Sequence, residues 1–498
     1  MPAPTERQNI KVSAERAVLA AVRLPNSRYD ERDPFGELGE LAAQAGAVVV
    51  GEIEQRRDRP ESGSYMGRGK IEELKALCDT VSAGTVIFDH ELSPKQIATI
   101  ERAIERKVLD RSELILDIFA SRATSHEAKL QVEIAQLEYT YPRLRAMWSH
   151  LERIVGAGAI GGVGTRGPGE QQLEIDRRLV QRRKSQLTRE LDEIRARKRR
   201  AVEKRNVDHF TAGLVGYTNA GKSTLFNTLT KGGAYADDRV FATLMTRTRQ
   251  WDLGGGHAAM LSDTVGFVRD LPHHLVASFR ATLEEATHAD LLIIVLDVSD
   301  PGAEMHYDTV TRTLDELFGE VEALETRRAE EARRDGREPI PYEPPERLVV
   351  LNKADLLEDN RDVLYWQTRV PGAIPLCALP GAEGAPAPTG QDELTEHVRA
   401  ASIGEVRELD ITVALRDSRT IDTIENRAEV VSRDYGEDSV TLRARIGSRQ
   451  LAQLRSRGAE MTLHTPDGEA VEPEAPPESV GWKASATTRR DDPDDPGF

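Results

Sequence analysis

The chain has 498 residues, too many for one hydrophobic core, and a domain size of about 100–200 residues divides it into roughly three units. A net charge of −17 excludes a protein that coats nucleic acid over its whole surface, DNA included, and leaves room only for a regional RNA contact. Cys78 and Cys377 lie far apart without metal-ligand spacing, and no apolar run approaches a membrane span or follows a basic leader; a cytoplasmic protein without a transmembrane segment is expected, with peripheral membrane contact left open.

After a tail over residues 1–14, residues 15–122 alternate apolar runs (Ala17–Val22, Ala47–Val50, Thr85–Phe88, Val108–Asp110) with helical patterns. This spacing predicts a small α/β domain with a largely parallel sheet. Within it, Tyr65-Met66-Gly67-Arg68-Gly69-Lys70 precedes a helix expected from about Ile71, so its backbone N–H groups either meet an anion or simply turn the chain.

Residues 123–205 change character. Leu130, Ile134, Leu137, Tyr141, Leu144, Trp148 and Leu151 follow steps of four and three, the seam of a long packed helix that Pro142 interrupts. A glycine-rich stretch over about 155–169 cannot be helical, and Leu173, Val180, Leu187, Leu191 and Ile194 then mark a second seam. The arrangement predicts an antiparallel helical hairpin with a glycine-rich tip. Its second helix is rich in arginine and lysine, Arg182, Arg183 and Lys184 among them. Those charges fit either a solvated helix face or an arm that contacts RNA phosphates, with Gly164, Thr165, Arg166 and Gly167 at the tip.

Residues 207–403 carry the chemistry. Gly216-Tyr217-Thr218-Asn219-Ala220-Gly221-Lys222-Ser223-Thr224 is a GxxxxGK[ST] phosphate loop between a strand-like run (Phe210–Val215) and the opening of a helix. Its backbone N–H groups and helix N-terminus suit phosphate, Lys222 adds a point charge, and the Ser223 hydroxyl suits Mg²⁺. About forty residues later Asp263-Thr264-Val265-Gly266 is a DxxG element, with Asp263 toward Mg²⁺ and the Gly266 N–H toward a γ-phosphate. Asn352-Lys353-Ala354-Asp355 ends a buried strand. The Asp355 carboxylate accepts from N1–H and the 2-amino group of guanine, whereas adenine would leave it unpaired, so GTP is the expected nucleotide. Cys377-Ala378-Leu379 follows the last strand as a base-contacting loop in which the Ala378 N–H is expected to reach guanine O6. A charged stretch over about 319–346 lacks an apolar face and is expected to be a solvated insertion.

Residues 404–464 predict a small α+β domain, with a strand over Leu409–Leu415, a helix near Asp422–Val431 and a strand over Val440–Ile446. Residues 465–498 are acidic and proline-rich and are expected to be disordered. The fold class is a multidomain α/β protein built round a P-loop domain with a mostly parallel sheet.

Several of these motifs together resemble the HflX-type ribosome-associated GTPases of the translation-factor-like class. The resemblance rests on Tyr65–Lys70, Val108-Leu109-Asp110-Arg111, Gly164–Glu170, Phe241-Ala242-Thr243-Leu244, and Asp263–Phe267 followed by Arg269-Asp270-Leu271-Pro272, and it covers residues 15 to about 460. It implies hydrolysis of GTP with Mg²⁺ and binding to the large ribosomal subunit and its rRNA. It further implies ribosome splitting, rescue or assembly as the task, with the glycine tip entering near the ribosome's catalytic centre. Thr243 matches the switch I threonine that closes on Mg²⁺ and the γ-phosphate, so Lys222, Thr243 and Gly266 carry the catalytic roles, and Ser223, Thr243 and Asp263 the metal. Phe241, Ala242, Leu244 and Met245 line the same segment, although Met245-Thr246 stands where Asp-Pro is usual, leaving Thr246 and Thr248 as substitutes. Phe267 stands where a Ras-like protein has its water-orienting Gln, which implies slow turnover without the ribosome; His273 and His274 lie just beyond. A monomer is expected. Two alternatives stay open: a nucleotide-regulated RNA-binding module with incidental hydrolysis, and an ATP-driven RNA remodeller acting through the Gly67/Gly69 turn.

Overall fold

The structure, a computed structural model, describes residues 15–25, 27, 29, 32–139, 178–194, 197, 209–231, 247–269, 289–334, 344–357, 359–379, 390–456 and 458–471. The hairpin tip with Gly164, Thr165, Arg166 and Gly167 lies outside these residues, as do the switch I candidates Phe241–Met245 (Thr243 among them), Thr246, His273, His274 and most of both tails.

The first sheet is parallel throughout, in the order β2-β1-β3-β4. Its strands are β1 (Arg16–Arg23), β2 (Val48–Arg56), β3 (Thr85–Phe88) and β4 (Lys107–Asp110). β1 is a continuous apolar run because both of its faces are covered. On one face α2 (Arg68–Thr80) and α3 (Pro94–Ile104) bring Ile71, Leu74, Ile97 and Ile100 onto Val18, Ala20 and Phe88. α2 starts at Arg68, three residues earlier than expected, and Ser93 and Gln96 close a capping box ahead of α3, with Pro94 in its first turn. On the other face lie α1 (Gly36–Gln44) and α4 (Arg111–Arg122).

That second face is shared. The helical residues 126–139 place Ala128, Val132, Ala135 and Tyr139 in the core formed by α1 and α4, and Val265 and Val268 of the nucleotide domain enter the same core. The opposite side of helix 126–139 (α5) turns Leu130 and Ile134 toward Leu187 and Leu191 of helix 178–194 (α6). Pairing of His126 with Glu190 and of Glu133 with Arg183 sets the two helices antiparallel.

The second sheet has the order β10-β9-β8-β5-β7-β6, parallel except for the β6–β7 hairpin. Its strands are β5 (Phe210–Gly216), β6 (Arg247–Gly254), β7 (His257–Asp263), β8 (Leu291–Asp297), β9 (Glu346–Asn352) and β10 (Ile374–Pro375). Central β8 is buried at every position; each Leu or Ile so enclosed contributes about 1.5–3 kcal/mol. α7 (Lys222–Leu229) covers one face and the long α8 (Ala303–Arg334) the other. The stretch expected as a solvated insertion is thus helical to Arg334, and Val321 is buried; beyond Val321 the described side chains are exposed or half-buried. The missed feature is an apolar stripe carried over from the preceding turns by Val310, Leu314 and Leu317.

The third sheet is antiparallel, β12-β13-β11-β14, in a β-α-β-β-α-β chain order. Its strands are β11 (Val406–Ala414), β12 (Glu429–Tyr435), β13 (Ser439–Gly447) and β14 (Met461–His464). β12 corrects the expected helix, which ends at Arg427: it is an edge strand exposed along nearly its whole length, with Val430 and Val431 adjacent, so it carries no alternating signal. Residues 465–471, expected to be disordered, are part of this domain, since Val471 packs against the sheet's core and its N–H donates to the Leu463 carbonyl; the rest of the expected tail lies outside the described residues. Among the described residues no helix is long and apolar enough to cross a membrane.

Candidate functional site: a phosphate loop clamped between two domains

β5 ends in Gly216, where a side chain would collide with the Val295 carbonyl of neighbouring β8, so only glycine lets the loop leave the sheet. At the loop's far end Gly221 has φ +94°, and a Cβ there would meet the Asn352 amide. Lys222 opens α7. It is buried, and its ammonium donates to the Gly216 carbonyl at 3.1 Å and the Tyr217 carbonyl at 2.6 Å. Ser223 Oγ donates to Asp263 Oδ2 at 2.8 Å, so the two Mg²⁺ candidates inside the described residues are neighbours, and Asp263 is only 1% exposed. A hydroxyl and a buried carboxylate at the head of a phosphate loop are a hard-oxygen donor set that fits Mg²⁺.

The segment after β7 is stitched to the loop. Phe267 N–H donates to the Gly216 carbonyl at 3.0 Å, and Thr218 N–H donates to the Phe267 carbonyl at 2.8 Å. This places Gly266 directly over the loop; a Cβ there would stand 2.9 Å from Lys222 Nζ and from Thr218 Cγ2. Phe267 is buried between the sheet and α8 together with Tyr217, so it offers no polar group to water. Thr264 and Val265, expected at the nucleotide, point elsewhere. Thr264 Oγ1 donates to the Leu214 carbonyl inside the sheet, and Val265 packs into the N-terminal core. Of the four DxxG residues, Asp263 and Gly266 are the two that meet the loop, through Ser223 and through Lys222 and Thr218.

At the base-reading end Asn352 is buried and ties two loops together: Nδ2 donates to the Ala220 carbonyl at 2.7 Å and Oδ1 accepts from the Ala378 N–H at 3.0 Å. The Ala378 donor expected to reach guanine O6 is therefore committed to Asn352, as a buried N–H requires a partner. Ala354 N–H donates to the Leu376 carbonyl, while Asp355 is exposed at the mouth. Burial and a hydrogen bond with Asp355 push the Cys377 thiol up from its ordinary value. Leu379 is 62% exposed beside it. Thr224 lies on α7 with its carbonyl bonded to Thr228.

The third wall comes from the N-terminal domain; its acids Glu37, Glu40 and Asp89 lie in no motif, although Arg111 and Arg269, which bind Glu37 and Asp89, end and open two of the quoted motifs. Tyr217 OH donates to Glu37 Oε1 at 2.6 Å and accepts from the Arg269 N–H at 2.8 Å, and Asn219 Nδ2 donates to Glu40 Oε2 at 3.1 Å. Arg269 Nη2 grips both oxygens of Asp89, at 2.9 and 2.8 Å. Arg111 Nη1 joins Asp89 at 2.7 Å, Arg111 Nη2 lies 2.8 Å from Glu37, and Arg23 reaches Asp89 at 2.8 Å. Burial pushes the Glu37 and Asp89 carboxyls up, but Arg111 and then Arg269 outweigh it and hold both below the usual range. The His306 ring of α8 stacks on Tyr217 at 3.8 Å.

The candidate RNA residues of the stem fare differently. Arg182 is exposed, while Arg183 pairs with Glu133 at 2.8 Å and Lys184 with Glu138 at 2.7 Å, so both also serve as surface ties between the hairpin helices. Such exposed pairs are worth about 0–1 kcal/mol and yield readily to phosphate.

Burial lowers the Lys222 pKa to about 8, with Asp263 opposing the shift. A phosphate beside the ammonium favours its charged form and raises that value. The expected result is a nucleotide affinity that is level well below pH 8 and weakens above it, with proton uptake on binding that rises toward one per nucleotide as pH passes 8. Titration calorimetry at pH 8.5 in two buffers of different ionisation enthalpy reads the uptake directly; equal heats in both would refute it.

Comparison with known proteins places these features. The family described as "GTP-binding GTPase N-terminal" matches residues 32–120, "GTP-binding GTPase Middle Region" matches 122–205, and "50S ribosome-binding GTPase" matches 211–328. The chain is 46% identical over 317 residues to the GTPase HflX of Lacrimispora saccharolytica, covering 63% of this chain and 73% of the relative. It is 36% identical over 448 residues to that of Caldanaerobacter subterraneus subsp. tengcongensis, covering 89% and 93%. With the Escherichia coli GTPase HflX it shares 40% identity over 348 residues, covering 70% and 75%.

Proposed function

The chain belongs to the HflX family of GTPases, and from that premise we propose that it spends GTP on the large ribosomal subunit, splitting or rescuing stalled ribosomes or acting in their assembly. GTP binding and hydrolysis come with the family; the ribosomal task, the metal and the residue roles are our reading. The chemistry that Mg²⁺ would supply here is positive charge against the phosphate oxygens. Ser223 and Asp263 would hold it, with Thr243 from switch I. Lys222 supplies positive charge at the phosphates, the Gly266 N–H senses the γ-phosphate, and Asn352, Lys353 and Asp355 hold and read guanine. The protein acts in the cytoplasm as a monomer.

One observation carries the ribosomal reading. Val265 and Val268, which bracket Gly266, share a core with Ala128, Val132, Ala135 and Tyr139 of the hairpin helix. A packed core transmits displacement instead of absorbing it, so a γ-phosphate that moves Gly266 shifts the surface on which the hairpin stands. GTP thereby sets the posture of the arm, and hydrolysis releases it. With Phe267 buried, turnover by the free protein is slow. Added large subunits are expected to raise GTP turnover roughly tenfold or more, short of the ~10³–10⁵ that an arginine finger adds to a GTPase site. Unchanged turnover, together with failure to co-sediment with large subunits in the GTP state at low salt, would remove the ribosomal role and leave the GTPase.

A further inference from the structure

Lys353 adopts φ +60°, a left-handed conformation that lysine rarely occupies. Its ammonium lies 2.6 Å from Asp297 Oδ2, at the C-terminal end of β8 and directly opposite Asn352 in the β8–β9 register. Asp297 is 9% exposed, and its two oxygens divide the work. Oδ1 accepts from Ser299 N–H at 3.0 Å and from Ser299 Oγ at 2.6 Å, closing the turn after β8, while Oδ2 faces Lys353. No sequence motif marks this carboxylate.

We infer that Asp297 is a positioning residue for guanine recognition, holding the Lys353 side chain in one posture beside the base-reading Asp355. The inference rests on the GTP reading of the site. A lysine at a cleft mouth has many rotamers, and a ligand that packs on its stem must remove that freedom. Anchoring the ammonium to a carboxylate that the turn itself immobilises removes it before the nucleotide arrives. The same bond helps retain the left-handed backbone that sets Lys353 between Asn352 and Asp355.

Asp297→Asn separates this role from a structural one, because the amide keeps an acceptor for Ser299 while presenting an NH₂ or a neutral oxygen to Lys353. The expected result is a dissociation constant for fluorescent methylanthraniloyl-GDP raised about five- to tenfold by loss of a charge-assisted contact, with the melting temperature unchanged. In a Lys353→Met background Asp297→Asn is expected to add nothing, and Ser299→Ala to leave the dissociation constant at its original value. If Asp297→Asn lowers the melting temperature, the double variant decides, since a turn defect persists without Lys353. Wild-type affinity in Asp297→Asn, or an equal loss with and without Lys353, overturns the inference while leaving the nucleotide reading intact. A wild-type chain that does not bind the probe overturns both.

Discussion

Asp89→Ala is expected to cost about 3–5 kcal/mol of stability, because it leaves buried arginines facing one another without their shared anion. Asp89 is 1% exposed and contacts Arg23, Arg111 and Arg269 at 2.7–2.9 Å. Asp89 is the one carboxylate that all three arginines share; Glu37 meets Arg111 and Arg269, and Glu54 lies 3.8 Å from Arg23. Removing Asp89 takes away the centre of the cluster and leaves its guanidinium groups only the outer acids. Since Arg269 belongs to the nucleotide domain and Asp89, just after β3, to the N-terminal domain, the loss falls on the joint between them. Chemical denaturation followed in parallel with limited proteolysis is expected to show a new early transition in which the two parts separate. A denaturation curve matching the original protein would refute the account.

The same carboxylates give a pH signature. Their folded pKa values lie below the unfolded ones, so their stabilisation is present above about pH 4 and is lost as pH falls through the depressed values. Acid should therefore open this joint in the original protein, whereas Asp89→Ala begins with much of that stabilisation already gone.

Asp355→Asn is expected to weaken guanine-nucleotide binding about 100-fold or more, as two donors of the base lose a charged acceptor. Xanthine carries an oxygen where guanine carries its 2-amino group. An asparagine NH₂ can donate to that oxygen, so xanthine nucleotides should gain affinity in the variant. Asp355 is exposed beside Cys377 while its neighbour Asn352 is buried, which divides the motif into one residue that reads the base and one that holds the loops. Competition between labelled GDP and XDP measures both changes; unaltered preference for GDP would show that Asp355 does not read the base.

The parts of this protein written into contiguous residues were legible without its structure. The phosphate loop, Asp263, Gly266 and Asn352 appear where their motifs place them because each depends on the local path of a strand into a loop or helix. The hairpin stem was legible because Leu130, Ile134, Leu187 and Leu191 repeat at helical spacing. Local reasoning failed where the partner lay elsewhere in the chain. It sent Thr264, Val265 and the Ala378 N–H to the nucleotide, but the sheet, the N-terminal core and Asn352 take them. β12 is an exposed edge strand whose apolar residues do not alternate, so it gave no periodic signal.

The sequence by itself determined a guanine-nucleotide site, its strand-to-helix setting and the hairpin, because backbone geometry and helical periodicity act over a few residues. Only the tertiary structure decided that the site has an N-terminal wall. Glu37, Glu40 and Asp89 are ordinary acids until folding brings them, across roughly 180 residues of chain, to Tyr217, Asn219 and Arg269. Burial of Asp89 and half-burial of Glu37 then turn their charges from solvated surface into a clamp on the segment that carries Gly266, while Glu40 stays exposed.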